Sequence, residues 1–306
     1  MNKGINPAVI CPVCGKSDAL YLGKLTAIPG LFTLSDSGNL FKCQYCIFYF
    51  RHPYKQPSEL IEKYQEGAAE TWSQGHLKRG DQKLVVEALS QLVPKGAVLD
   101  IGCSSGGLLA LLPEKYQKYG IEPSSRASKV AAQHGVTIIG KIIDDCKSNL
   151  LFDAILMVDL IEHIVSPVDF LKKAASLLKP TGILMISTGN IHSWLWRIMR
   201  LDYWYYVPEH VSFFNKRWFK WFAENNNLHI VKTQTFSHYV GTIDQTIRQV
   251  IDCTVYLMLK WSKKLPLLNK ALCKVYPFSR ASRWPSSPAA HFIADHILVV
   301  MQKDPS

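Results

Sequence analysis

The chain has 306 residues, 48% of them hydrophobic, and a formal net charge of +11. That length supports one sizeable core and a small accessory unit, and the absence of any run of about 18 apolar residues argues against a spanning helix. The first 14 residues carry one lysine and no long apolar stretch, so the reading expects no signal peptide and a cytoplasmic protein.

Eight cysteines are present, and four of them form two C-x-x-C pairs, Cys11/Cys14 and Cys43/Cys46, with 28 residues between the pairs. In a cytosolic chain this spacing reads as metal ligation rather than disulfides. "CPVCG" and "KCQYC" are tight turns that aim two thiolates at one ion. Residues 1–52 are therefore read as a four-cysteine zinc ribbon. Its site is closed to water, so the zinc is expected to be structural, and a unit this small needs the metal to fold.

Residues 53–80 read as a polar helical connector with a helix over 58–66, a lid in which Tyr64 and Trp72 are candidates. Residues 81–240 alternate strand and helix patterns. Strands are expected over 97–101, 119–122, 136–139, 152–158, 182–188 and 229–235, and helices over 107–112, 125–133 and 216–225. Ser124 and Asn215 are expected caps; a further helix starts with Ser166 as cap, Pro167 in the first turn and Asp169 near its positive end. Residues 241–291 are helical, basic and apolar, and residues 292–306 supply a last strand, "HILVVMQK". Alternating strands and helices imply a parallel sheet covered on both faces.

The stretch "VLDIGCSSGG" at 98–107 enters a glycine loop from a strand and opens a helix. Such a loop gathers backbone N–H groups and a helix dipole at one place, and its glycines let a ligand approach the main chain. Glu122 ends the next strand and can accept both hydroxyls of a ribose. Ser104 breaks the Gly-x-Gly-x-x-Gly pattern of dinucleotide sites, and Asp100 beside the loop would repel a pyrophosphate but suits a sulfonium cofactor with a free amino group.

On these residues the chain resembles class I S-adenosylmethionine-dependent methyltransferases. "VLDIGCSSGG", "YGIEPS", "FDAILMVDLIEHI" and "LLKPTGILMIST" match that family's motifs in order across residues 81–240, with Ser104 standing where a glycine is usual. The resemblance implies an α/β Rossmann-like fold, a seven-stranded, mostly parallel sheet with helices on both faces. It also implies S-adenosylmethionine as cofactor: Asp100, Gly102, Ser104 and Gly106 at its amino-acid end, Glu122 at its ribose, Asp144 by its adenine and Asp159 lining the pocket. Asp145 competes with Asp144. The ribbon, "RHPYKQPSELIEKY" and "VPEHVSFFN" are similar to bacterial small-molecule methyltransferases, sugar C-methyltransferases among them, with Pro208 in place of that motif's first histidine.

Methyl transfer needs an aligned acceptor and, for a hydroxyl, a base. His210 beside Glu209 is the first candidate, balanced evenly against a structural histidine that hydrogen-bonds the loop; His163 is the second, with shaping of the cofactor pocket the stronger reading for it. The aromatic run "WLWRIMRLDYWYY" at 194–206 reads as a hydrophobic cap over the sheet, with the wall of an acceptor pocket or a surface resting on a membrane as alternatives. Residues 241–291 hold five lysines and three arginines against Asp244 and Asp252. They read as helices packed on the domain, with peripheral contact to an anionic membrane as the alternative, which would suit a lipid-linked acceptor. The expected acceptor is a small molecule, a sugar or glycan precursor. A quinone-type O-methyltransferase, an RNA methyltransferase and a non-catalytic binding module are the competing readings. Few basic side chains in the ribbon and no legible base-stacking surface weigh against nucleic acid.

Overall fold

The computed structural model describes residues 9–25, 38–54, 59, 61–62, 80–146, 150–237, 241–289 and 293–304. Tyr64, Trp72 and most of the expected 58–66 helix lie outside the described residues. The cysteine segment forms three antiparallel strands, β1 (Ala19–Lys24), β2 (Asn39–Cys43) and β3 (Tyr49–His52). After α1 (Gly80–Leu92), the expected alternation appears: β4 (Gly96–Ile101), α2 (Gly107–Ala110), β5 (Tyr116–Ile121), α3 (Ser125–Gln133), β6 (Thr137–Gly140), β7 (Phe152–Val158), α4 (Pro167–Ser176) and β8 (Leu178–Gly189). Then come α5 (Trp194–Met199), β9 (Ser212–Phe213), α6 (Lys216–Glu224), β10 (Leu228–Phe236), α7 (Ile243–Ser262), α8 (Pro266–Leu272), α9 (Phe278–Ala281) and β11 (His296–Lys303).

Seven strands form one sheet in the order β10-β11-β8-β7-β4-β5-β6. β11 runs antiparallel to both neighbours; the other pairings are parallel. Successive side chains of a strand point to opposite faces. Accordingly Leu99, Ile101, Ile155, Met157, Leu184 and Ile186 enter one core with α4 and α6, while Val98, Ala154, Leu156, Ile183 and Met185 enter the other with α1 and α3. This is the Rossmann-like architecture expected above.

The ribbon is fused to that sheet's flank. β9, which follows β8 in the chain, pairs with β3 and makes the ribbon sheet four-stranded, β1-β2-β3-β9. Phe48 packs on Phe214 and Trp218 with ring centroids 5.6 Å away, inside the same core as β7 and β8. A unit too small for its own core shares its neighbour's.

Two local expectations need correction. Ser166 sits at the N-cap of α4, but its side chain makes no capping bond, because ψ of 70° turns it away from the first amides; Pro167 and Asp169 start the helix instead. β8 begins at Leu178, four residues before the expected strand, because Lys179–Gly182 stays extended; the register with β7 shifts there.

Most of the aromatic side chains in the 194–206 run are buried. Trp196, Tyr203, Tyr205 and Tyr206 are buried together with Cys253 of α7. α7 opens with a full capping box between Thr242 and Gln245, and Lys260 ties it to Asp202 and to the Met199 carbonyl. No helix among the described residues is long and apolar enough to cross a membrane.

Candidate functional site

The carboxyl ends of β4, β5, β7 and β8 open on one side of the sheet, where ligands bind in open α/β folds. Gly102, Ser104 and Gly106 have φ of 79°, 49° and 78°. Glycine takes this left-handed region freely; a side chain there costs about 1–2 kcal/mol, so Ser104 is strained. A Cβ on Gly106 would meet Ala131 and Val136 at 3.1 Å, so this glycine lets α3 and β6 close on the loop.

Glu122 is buried and latches the loop. Its two carboxylate oxygens accept from the Ser104 and Ser124 amides at 2.9 and 2.8 Å. Burial raises its pKa, and the amide bonds pull against that rise. Each oxygen keeps a lone pair for a ribose hydroxyl. The Ser104 hydroxyl oxygen is buried with no partner among the described residues. An orphaned polar group at the mouth of a glycine loop fits a polar ligand group, here the amino-acid end of S-adenosylmethionine. Asp100 is buried mid-sheet between Gly120 and Leu156. Asp144 lies in the turn Ile143–Asp145, exposed and ion-paired to Lys173 of α4, beside buried Ile143.

Past β7, Asp159 holds a φ of 50° and Glu162 is buried. The Glu162 carboxylate accepts the Tyr205 hydroxyl at 2.5 Å and the Thr188 hydroxyl at 2.8 Å. Burial first, then the Asp159 charge, pushes its pKa up to about 7, against these two bonds. His163 Nδ1 lies 3.2 Å from the Glu209 carbonyl and His210 Nδ1 2.8 Å from the Tyr205 carbonyl. A carbonyl only accepts, so both rings carry their proton on Nδ1 and keep Nε2 as an acceptor. Burial takes the His163 pKa down to about 4 and that of His210 well below the usual value, with the neighbouring His163 adding to the latter. The rings meet edge to face, centroids 4.8 Å apart. The structure thus brings His210 and His163 together. It uses Glu209 chiefly through its main chain, while the Glu209 carboxylate supports the charge of Arg51 against burial.

Glu162, His163 and His210 offer donor atoms within 4.8 Å of one another. Both Glu162 oxygens are already engaged, so the set fits a hydrogen-bonded network better than a cation site. Sequence reasoning missed Glu162, Thr188 and Tyr205 as a unit, and it missed Arg51. From β3, Arg51 donates Nε to the His210 carbonyl and Nη2 to the Tyr206 and Val207 carbonyls, each at 3.0 Å.

The four cysteines converge. Cys11 and Cys46 sulfurs are 3.6 Å apart, those of Cys14 and Cys43 3.5 Å, and all four lie within 4.8 Å. Tetrahedral zinc with Zn–S of about 2.3 Å sets its sulfurs roughly 3.8 Å apart, so the cluster fits such an ion.

A methyltransferase-domain family profile matches residues 73–233, just over half of the chain. The ubiquinone biosynthesis O-methyltransferase of Bradyrhizobium diazoefficiens is 34% identical over 100 residues, 30% of this chain and 40% of that protein. Its Vibrio parahaemolyticus counterpart is 30% identical over 162 residues, 47% of this chain and 68% of that protein. The chain thus spans about two fifths of the first relative's length. The solved magnesium protoporphyrin IX methyltransferase of Synechocystis, with bound SAH, superposes with a TM-score of 0.52 at 11% identity, over 81% of this chain and all of that one; this likeness shows the fold. The chain belongs to the class I S-adenosylmethionine-dependent methyltransferase family.

Proposed function

We propose that the protein methylates a hydroxyl of a small polar acceptor, a sugar or glycan precursor, using S-adenosylmethionine held by Asp100, Gly102, Ser104, Gly106, Glu122, Asp144 and Asp159. When bound, the cofactor supplies an electrophilic methyl on a positively charged sulfur. The observation that carries the reading is the pairing of two fixed imidazole acceptors, His210 and His163, with the Glu122-latched loop on one side of the sheet. His210 takes the hydroxyl proton on Nε2, and the nearby Asp159 carboxylate favours the resulting imidazolium. His163 lies second in reach, and Glu209 positions it. Four-cysteine zinc holds the ribbon, and the ribbon holds the 205–210 loop.

The test incubates the protein with methyl-labelled S-adenosylmethionine and a host extract, then separates small polar, lipid, RNA and protein fractions. Label in the small polar fraction, lost in His210→Ala, supports the reading. Label in the lipid fraction on a species without sugar supports the second reading, a quinone-type O-methyltransferase, which the names of the two relatives favour; label on a lipid-linked sugar supports the first. Label in RNA contradicts both.

Peripheral membrane contact suits a lipid-linked glycan and a quinone precursor alike. Trp261, Leu265, Leu267 and Leu268 are exposed beside Lys263, Lys264 and Lys270, an arrangement suited to an anionic interface. Flotation with anionic vesicles, lost in a Lys263→Glu/Lys264→Glu variant, is its test; absence of flotation by the wild type contradicts it.

A further inference from the structure

A cavity lies where the ribbon meets the main domain. It measures about 450 Å³ and is lined by Lys42 of β2, His192 after β8, Arg197 of α5, Arg200, and Arg217 in the first turn of α6. Among the described residues no aspartate or glutamate lines it. Among the described residues none of Lys42, Arg197, Arg200 and Arg217 makes an ion pair, whereas Arg248 pairs with Asp244 and Arg280 with Asp252.

The four charges converge rather than scatter. Arg217, Lys42 and Arg197, in that order after burial, hold His192 toward its neutral form. Tyr49 stands in the same wall, its hydroxyl 3.2 Å from His192 Nε2, with the Lys42 ammonium 5.5 Å above its ring. Arg200 is held at φ 55°, a conformation a side chain keeps only where its surroundings impose it. Like charges gathered in one cleft repel, and a bound anion of two or more charges reverses the sign of that energy. Guanidinium groups match phosphate oxygens in pairs. Ile191 and His192 leave the carboxyl end of β8, which is parallel to β7, so this wall of the cavity starts at the same end of the sheet as His163.

We propose that this cleft binds the phosphate or diphosphate group of the acceptor, fixing a phosphorylated sugar or glycan while its hydroxyl reaches His210. The oxyanion site stands on the cleft alone; its assignment to the acceptor rests on the methyltransferase reading. A soluble sugar nucleotide and a lipid-linked sugar share this diphosphate chemistry.

The test is calorimetry of the full chain with inorganic pyrophosphate at low and high salt. Wild type should bind it, and Arg197→Gln/Arg217→Gln should weaken binding by about tenfold or more, some 1.4 kcal/mol, while affinity for S-adenosylmethionine in the same variant stays unchanged. Both arginines are exposed, so the variant keeps its core. Displacement of pyrophosphate by UDP-glucose supports a soluble acceptor; displacement by neutral vesicles carrying polyprenyl diphosphate supports a lipid-linked one. Displacement by neither, or only by a single-stranded RNA oligomer, overturns the acceptor assignment. No pyrophosphate binding, or binding indifferent to the two arginines, overturns the site. Pyrophosphate binding without any S-adenosylmethionine binding leaves the anion site standing and removes the methyltransferase reading.

Discussion

Arg51 of the ribbon donates to the backbone carbonyl of His210, 159 residues later in the chain, at 3.0 Å. The same guanidinium takes the Tyr206 and Val207 carbonyls, so one buried cation fixes the loop that carries the candidate base. Burial lowers its pKa to about 10, and Glu209 opposes that fall. Arg51→Met should remove the guanidinium from the His210 and Tyr206 carbonyls, leave the Val207 carbonyl with the His210 amide alone, and lower stability by about 2–3 kcal/mol, at hydrogen-bond costs typical of charged donors. Methyl transfer should drop while S-adenosylmethionine affinity holds. Calorimetry and thermal unfolding of the variant check this; unchanged transfer would show that the contact does not position the loop.

Glu162 gives stability a pH dependence. Its folded pKa, about 7, stands above its ordinary value of 4.5. The folded state therefore binds the proton more tightly, so this group's contribution is fully present below pH 4.5 and is lost as pH rises to 7. Glu162→Gln should flatten the stability profile between those limits and be more stable than wild type at pH 8, by at most roughly 3 kcal/mol at 1.36 kcal/mol per unit. Denaturant unfolding from pH 4 to 8 measures it; parallel profiles for the two proteins would contradict the assignment.

Ser104 carries a side chain in a left-handed loop position. Ser104→Gly should relieve about 1–2 kcal/mol of strain and return about 0.5–1 kcal/mol through a freer unfolded chain. The variant should be slightly more stable, and its cofactor affinity should show what the orphaned hydroxyl contributes. A less stable variant would mean the hydroxyl already has a partner in the free protein.

Metal should act beyond the ribbon. Because β9 and Arg51 connect the cysteine unit to the 205–210 loop, stripping zinc with a chelator should lower both the unfolding temperature and methyl transfer, and so should Cys46→Ser. Elemental analysis should find one zinc per chain. A zinc-free protein with full stability would contradict the structural role.

Strand and helix order was legible because the central strands are apolar runs punctuated by glycine and proline; 152–158 and 125–133 match their elements residue for residue. The glycine loop and Glu122 were legible because local chemistry places them. Arg51, Tyr205 and Glu162 were not. The Tyr205–Glu162 and Arg51–His210 contacts join positions 43 and 159 residues apart, and nothing in local periodicity distinguishes a buried arginine on a short strand from an exposed one. The pairing of β3 with β9 was hidden for the same reason, since a two-residue strand has no pattern of its own. The basic cleft likewise draws Lys42, Arg197 and Arg217 from three distant segments.

The central claim is that the glycine loop and Glu122 bind S-adenosylmethionine. Titration calorimetry of wild type and Glu122→Ala tests it most directly. The account predicts one site per chain in the wild type, and in the variant an affinity lower by about tenfold or more, at 1.4 kcal/mol per decade. Absence of binding by the wild type, or equal affinity in the two proteins, would contradict it.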